Sequence, residues 1–266
     1  AASAAGSRRT RNDEPIPVTR PREPDLRLLC ERCGYHLKGL KRTDNCPECG
    51  TPVAKSLPSK RIVKPWHTRP TFLTSLRIAP RILRHPVRYW DTLPLWQDRP
   101  EMLIVDGCAL SGAVLAGGIV AASAAVSLLD PSIWSGLIGA AVIAPLPMVI
   151  VYIMLSAIEM VGLRVVAWRH RWRDGGLRAK IVVSHATFAW SAASLLTPLG
   201  LAVGAAAGDS LALPGALAGF FLGLLAFETL VYIGMRRLRY ANPPGAEREL
   251  APIEDPTVTA ACAAGP

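Results

Sequence analysis

Charged and apolar positions are segregated along this chain rather than interleaved. No Asp, Glu, Lys or Arg falls between Gly107 and Leu129, Pro131 and Ile158, Ile181 and Gly208, or Ser210 and Phe227. At ~1.5 Å of helix per residue each run reaches across a hydrocarbon core of ~30 Å, the last only just. The pattern predicts an all-α polytopic membrane helix bundle within residues 102–239, with spans at about 103–129, 132–160, 181–207 and 211–235. Pro145, Pro147 and Pro198 are candidate breaks, and a division of the third run near Pro198 gives five spans in place of four.

The chain outside the bundle reads differently. Residues 1–24 and 240–266 are rich in proline, small residues and charge without apolar periodicity, so both are expected to be disordered tails. A signal peptide is not predicted, because no apolar core follows Arg8 and Arg9. Residues 26–55 form a cysteine module, and 56–101 a basic juxtamembrane segment. Within the latter, Thr71–Trp90 carries an interrupted apolar face (Phe72, Leu73, Leu76, Ile82, Leu83, Val87) beside Arg77, Arg81, Arg84 and Arg88. Pro80 and Pro86 predict short interfacial turns rather than one helix, with Tyr89, Trp90 and Trp96 in the headgroup zone.

Basic residues give the expected orientation. They crowd residues 60–101, the connection holding Arg164, Arg169, Arg171, Arg173, Arg178 and Lys180, and the stretch Arg236, Arg237 and Arg239. The turns at Asp130-Pro131 and Gly208-Asp209-Ser210 have none. This alternation places both termini in the cytoplasm of a cytoplasmic (inner) membrane protein. Small residues four apart predict close helix packing: Ala109, Ala113, Gly117, Ala121 and Ala125 in the first span, Gly200, Gly204 and Gly208 in the third, Gly215, Gly219 and Gly223 in the fourth.

Composition sharpens this picture. Of 266 residues half are hydrophobic, yet Lys and Arg exceed Asp and Glu by 30 to 20. A single soluble domain does not combine such apolarity with such charge. Juxtamembrane cations attract anionic lipid headgroups at ~1 kcal/mol each, so the charge excess does not require nucleic acid.

The candidate chemistry lies in LLCERCGYHLKGLKRTDNCPECGTPV. Cys30 and Cys33 form one C-x2-C pair, Cys46 and Cys49 another, each followed by a glycine, Gly34 or Gly50. Two such turns can close a tetrahedral four-thiolate shell around one structural Zn2+, clipping together a segment too short for its own core. A rubredoxin-like iron site uses the same ligands, and disulfides are disfavoured in a reducing cytoplasm. Mixed charges and one stacking ring, Tyr35, argue against a nucleic-acid surface. Cys108 reads as a packing residue and Cys262 as tail.

The string Cys33-Gly34-Tyr35-His36-Leu37-Lys38-Gly39-Leu40 closing on Cys46-Pro47-Glu48-Cys49-Gly50 resembles the short zinc ribbon fused to many bacterial membrane proteins. The layout behind it is similar to the Yip family of integral membrane proteins. This resemblance implies an adaptor-like membrane protein without an established active site.

Asp106, Glu159, His185 and Glu228 lie in or beside the spans, where ionisable groups are costly and pair or line wet cavities. They form a candidate intramembrane polar site, although Asp106, Glu159 and His185 also suit plain membrane boundaries. No phosphate-cradling glycine loop, nucleophile elbow or H-E-x-x-H motif occurs, so no enzymatic activity is expected. The leading expectation is a non-enzymatic membrane scaffold or adaptor presenting a zinc ribbon to a cytosolic protein partner. A small transporter or ion-conducting protein using Glu228 and His185 is the second reading, and a membrane oxidoreductase subunit with an iron site the third.

Overall fold

The computed structural model describes residues 26–95, 99–127, 141–170 and 172–251, with the side chains at 65, 122–127 and 209 left aside. The Asp130-Pro131 turn, Trp96, Cys262 and most of the two tails therefore lie outside the described residues. Helix dominates: α1 (Pro65–Thr68), α2 (Phe72–Arg84), α3 (Pro86–Asp91), α4 (Pro100–Ser127), α5 (Pro145–Arg169), α6 (Gly175–Ala186), α7 (Trp190–Ala207) and α8 (Ala212–Leu238).

Among the described residues four helical stretches are long and apolar enough to cross a membrane: Pro100–Ala121, Ala141–Arg169, Gly175–Ala207 and Ala212–Leu238. The third joins α6 to α7 through a 3-10 turn at Thr187–Ala189, while Pro198 is absorbed inside α7. Parity supports the same number. Ala251 N–H bonds the Leu40 carbonyl (3.1 Å), so the described chain begins and ends at one end of the bundle, which fits four crossings rather than five.

Two devices hold the spans together. Between α7 and α8 the backbones meet directly. A Cβ on Gly200 would overlap the Gly215 carbonyl, one on Gly219 the Leu196 carbonyl, and one on Gly223 the Ala193 backbone. This is the close approach expected of small residues in lipid, where hydrophobic drive is missing. Elsewhere three rings stack: Trp190 of α7 lies 4.3 Å from Phe227 of α8 and 4.9 Å from Tyr152 of α5. Their polar atoms are matched, Trp190 Nε1 donating to Ser156 Oγ (3.0 Å) and Tyr152 Oη bonding Ser194 Oγ (3.0 Å). Satisfying such atoms inside the bundle removes a cost of several kcal/mol each in hydrocarbon.

The first span packs differently from the expectation. Its ridge of Ala109, Ala113, Gly117 and Ala121 is exposed, and nothing would meet a Cβ at Gly117. The opposite face is the packed one. Gly107 receives Thr187, Gly112 receives Val149 of α5, and Gly118 faces Pro198 of α7, with Cys108, Ser111 and Leu115 buried between them. Small-residue spacing marks where a helix can approach another, whereas the neighbours' positions decide which face does so.

The basic approach is also more ordered than two prolines suggest. Thr71 and Thr74 cap α2 reciprocally (3.0 and 3.3 Å), and the helix runs through Pro80 to Arg84 before breaking at Pro86. Pro80 forfeits one backbone bond, but the buried stripe Ser75, Ile78, Ala79 and Ile82 holds the helix against the bundle. Tyr89 and Trp90, expected in the headgroup zone, are instead buried beside His185.

Candidate metal centre

Each cysteine pair sits on the same backbone knuckle. In the first, Cys30 N–H bonds Tyr35 O (2.7 Å) and Gly34 N–H bonds Cys30 O (2.8 Å). In the second, Cys46 N–H bonds Thr51 O (2.8 Å) and Gly50 N–H bonds Cys46 O (2.9 Å). Gly34 and Gly50 have φ of 83° and 67°, a left-handed turn that glycine adopts without a Cβ penalty. One isolated antiparallel bridge closes each knuckle, Leu29 with His36 and Asn45 with Pro52, so the module is a pair of knuckles rather than a sheet.

The knuckles face each other and bring all four sulfurs within 4.8 Å of one another. Cys30 Sγ is 3.5 Å from Cys49 Sγ, and Cys33 Sγ 3.6 Å from Cys46 Sγ. A disulfide needs ~2.05 Å. A tetrahedral zinc with ~2.3 Å bonds to sulfur has S···S edges near ~3.8 Å, so these spacings suit four thiolates around one ion. The four cysteines can therefore hold a metal, and they are not disulfide-bonded. Cys30 and Cys46 are buried over Leu28, Leu37, Val53 and Leu57, while Cys33 is exposed.

The thiols do not ionise alike. Burial pushes the Cys30 thiol up, whereas hydrogen bonding from the Thr51 hydroxyl and backbone holds Cys49 at about 6. Four adjacent thiolates repel, and a divalent cation at their centre is the charge that would let all of them form.

The module is not a free knob. Asn242, placed by sequence in the C-terminal tail, is fully buried and ties three segments together. Its Nδ2 donates to Leu29 O (2.7 Å) and Ser56 O (2.8 Å), and its Oδ1 accepts from Leu29 N (2.9 Å) and Arg173 Nη1 (3.3 Å). Glu31 takes Arg61 Nη2 (2.8 Å) and Lys60, and Arg61 reaches on to Leu93 O (2.7 Å). Arg178, buried at the end of the bundle, donates to Ala241 O (2.9 Å) and Arg239 O. Glu249 accepts from Leu28 N (2.6 Å) and lies 2.8 Å from His36 Nε2, and Gly39 N–H bonds its carbonyl (3.0 Å). Tyr240 leaves no room for a Cβ at Gly34, whose ideal Cβ would fall 2.8 Å from the ring. Residues 240–251 are thus a strap over the cysteine module, a correction to the expected tail. No periodicity in Ala-Asn-Pro-Pro-Gly could have signalled it, because a single amide making four bonds leaves no repeating pattern.

The four intramembrane ionisable residues do not gather at one point. Glu159 and Glu228 lie within electrostatic reach of each other. Asp106 interacts with Ser75 of α2. His185 is fully buried elsewhere, ringed by Trp66, His67, Tyr89 and Trp90 with centroids 5.7–6.5 Å away, its Nδ1 on Ile181 O (2.8 Å) and its Nε2 without a partner. Among the described residues no ion pair joins Glu228 to His185 or Arg164. Compared with known protein families, curated proteins and solved structures, the chain matches none, so the resemblance to Yip proteins rests on layout alone.

Proposed function

We propose that the protein is a non-enzymatic scaffold of the cytoplasmic membrane whose cysteine module carries one structural zinc ion and offers its outer face to a cytosolic protein. The observation behind this reading is the closed four-sulfur cluster on a module strapped to the bundle by both flanks of the chain. A closed shell leaves no coordination position for substrate, which suits a structural role. Arg32, Tyr35, Lys38, Lys41, Arg42 and Glu48 are exposed, a mixed polar surface of the kind that protein partners use. The alternation of basic loops supports a cytoplasmic location for that face. Nucleic acid is not among the proposed partners, and the Yip-like layout is kept as analogy only.

Metal analysis of the purified full chain tests the assignment. About one zinc per chain without iron is expected, and iron with thiolate-to-metal absorption in the visible would replace this reading with the oxidoreductase one. A partner captured by the parent chain and lost after Cys30→Ser and Cys46→Ser supports the scaffold; identical capture by both chains refutes it.

A further inference from the structure

A groove of about 940 Å3 opens where the cysteine module meets the end of α8. Six cations line it: Arg32, Lys55, Lys60, Arg236, Arg237 and Arg239, against the two carboxylates of Glu31 and Asp91. Those carboxylates are already engaged. Glu31 is held by Lys60 and Arg61, and Asp91 lies 3.5 Å from Arg237. Arg32, Lys55 and Arg236 have no carboxylate partner among the described residues, Arg236 reaching only the Tyr232 hydroxyl at 3.5 Å. Arg239 stacks over Tyr240 at 4.8 Å, and its Nε is buried in the wall without a hydrogen-bond partner. The groove thus holds uncompensated positive charge, which calls for an anion.

Its other wall is apolar. Val87, Tyr232 and Ile233 border the groove on the side of the span Ala212–Leu238, and Tyr232 is 63% exposed on the bundle surface. Cations above and an apolar lip below match a phosphate whose ester carries hydrocarbon chains. Guanidinium forks recognise phosphate oxygens in bidentate fashion, and a site at the end of a span lies at headgroup depth. We infer that this groove binds a phosphate group, and that its natural source is the headgroup of an anionic glycerophospholipid. The site deepens the scaffold reading by naming a lipid partner. It needs the docked module but neither the zinc assignment nor a protein partner, so the two proposals can fail separately.

Native mass spectrometry of the full chain released from detergent tests it with three probes: phosphatidylglycerol, phosphatidylcholine of the same chains, and inorganic phosphate. Phosphatidylglycerol should be retained about tenfold better than phosphatidylcholine, and Lys55→Gln with Arg236→Gln should lower that retention about tenfold. Arg164→Gln with Arg169→Gln removes equal charge from exposed positions of α5 and should leave retention unchanged. Millimolar inorganic phosphate leaves the lipid in place if the acyl chains anchor it; if it displaces the lipid, the site stands and its source is soluble phosphate. Equal retention of both lipids, or equal losses in the two double variants, overturns the proposal. Zinc content measured on the same preparations reports separately on the scaffold.

Discussion

The cysteine module and the membrane bundle solve one problem, the shortage of ordinary hydrophobic drive, in opposite ways. In the bundle, lipid is as apolar as the side chains, so cohesion comes from backbones brought together at Gly200, Gly215, Gly219 and Gly223 and from the matched rings of Tyr152, Trp190 and Phe227. In the module, too few residues exist for a core, so cohesion comes from four sulfurs and from side chains bonded to distant backbone. One region therefore depends on the absence of atoms, and the other on the presence of particular ones. They should fail to different insults.

Metal removal is the sharpest separation. Structural zinc sites contribute on the order of 10 kcal/mol of apparent binding energy, more than a module of this size can replace. Cys30→Ser with Cys46→Ser, or a strong chelator, should release residues 26–60 and the strap 240–251 together while the spans keep their structure. Hydrogen exchange followed by peptide mass spectrometry reads both regions at once. If the strap stays protected after the sulfurs are lost, the module is not what holds it.

The converse insult falls on glycine. Gly200→Leu sets a side chain against the Gly215 carbonyl, where no rotamer change relieves a backbone clash, and overpacking of this kind costs about 3 kcal/mol or more. The bundle's melting temperature in detergent should fall by several degrees with metal content unchanged. Gly117→Ala is the control: the site is open, and the better helix former should be neutral or slightly stabilising, by at most about 1 kcal/mol. Equal effects at the two positions would mean that the close crossing of α7 and α8 does not carry the bundle.

How much of this was readable in the chain follows the same division. The spans and the sulfur cluster were legible, because lipid demands long charge-free runs and a metal demands fixed ligand spacing. Packing partners were less so. Gly200, Gly215, Gly219 and Gly223 do face a neighbour, whereas the equally regular Ala109, Ala113 and Gly117 do not, since spacing along one helix carries no information about where the others lie. His185 read as a boundary residue and proves to be buried among four rings, all of them contributed by residues 56–101, the segment read as a juxtamembrane approach. Least legible was the strap, whose hold comes from single residues such as Asn242 and Glu249 in a stretch with the composition of a tail.

Asn242 lets the joint between the two regions be tested without touching either. Asn242→Ala strands the carbonyls of Leu29 and Ser56, the Leu29 N–H and one bond of Arg173, around a side chain that is itself fully buried. Unmet buried groups cost about 1–3 kcal/mol each, and partial relaxation should leave a net loss of about 2–3 kcal/mol. Proteolysis within the strap should quicken accordingly, with the metal content and the bundle's melting unchanged. A loss of metal in step with the strap would show that docking and metal retention are one event.

A last and smaller effect belongs to the seam between the basic approach and the bundle. His67, on α1, is held at about 4 chiefly by burial, which outweighs its backbone hydrogen bond at Lys64 and is reinforced by the Lys64 charge. Lys64 is itself lowered by burial and by Arg81, and His185 stacks near the His67 ring at 6.4 Å. A histidine depressed from 6.5 to about 4 is neutral when folded and takes up a proton on unfolding, so its contribution is fully present above pH 6.5. It is lost as pH falls from about 6.5 toward 4, because protonation then favours the opened state. The shift would correspond to about 3 kcal/mol for a sealed site; partial exposure reduces this to on the order of 1–2 kcal/mol. The contrast to measure is the parent against His67→Gln, since any acid release of metal is common to both and cancels. The parent's advantage in melting temperature should change with pH across that window and settle to a constant above it. A difference between the two chains that is flat from pH 7 to pH 4 would mean that His67 is wet in solution and that the seam, unlike the module and the bundle, is held by neither sulfur nor glycine but by the apolar stripe of α2 alone.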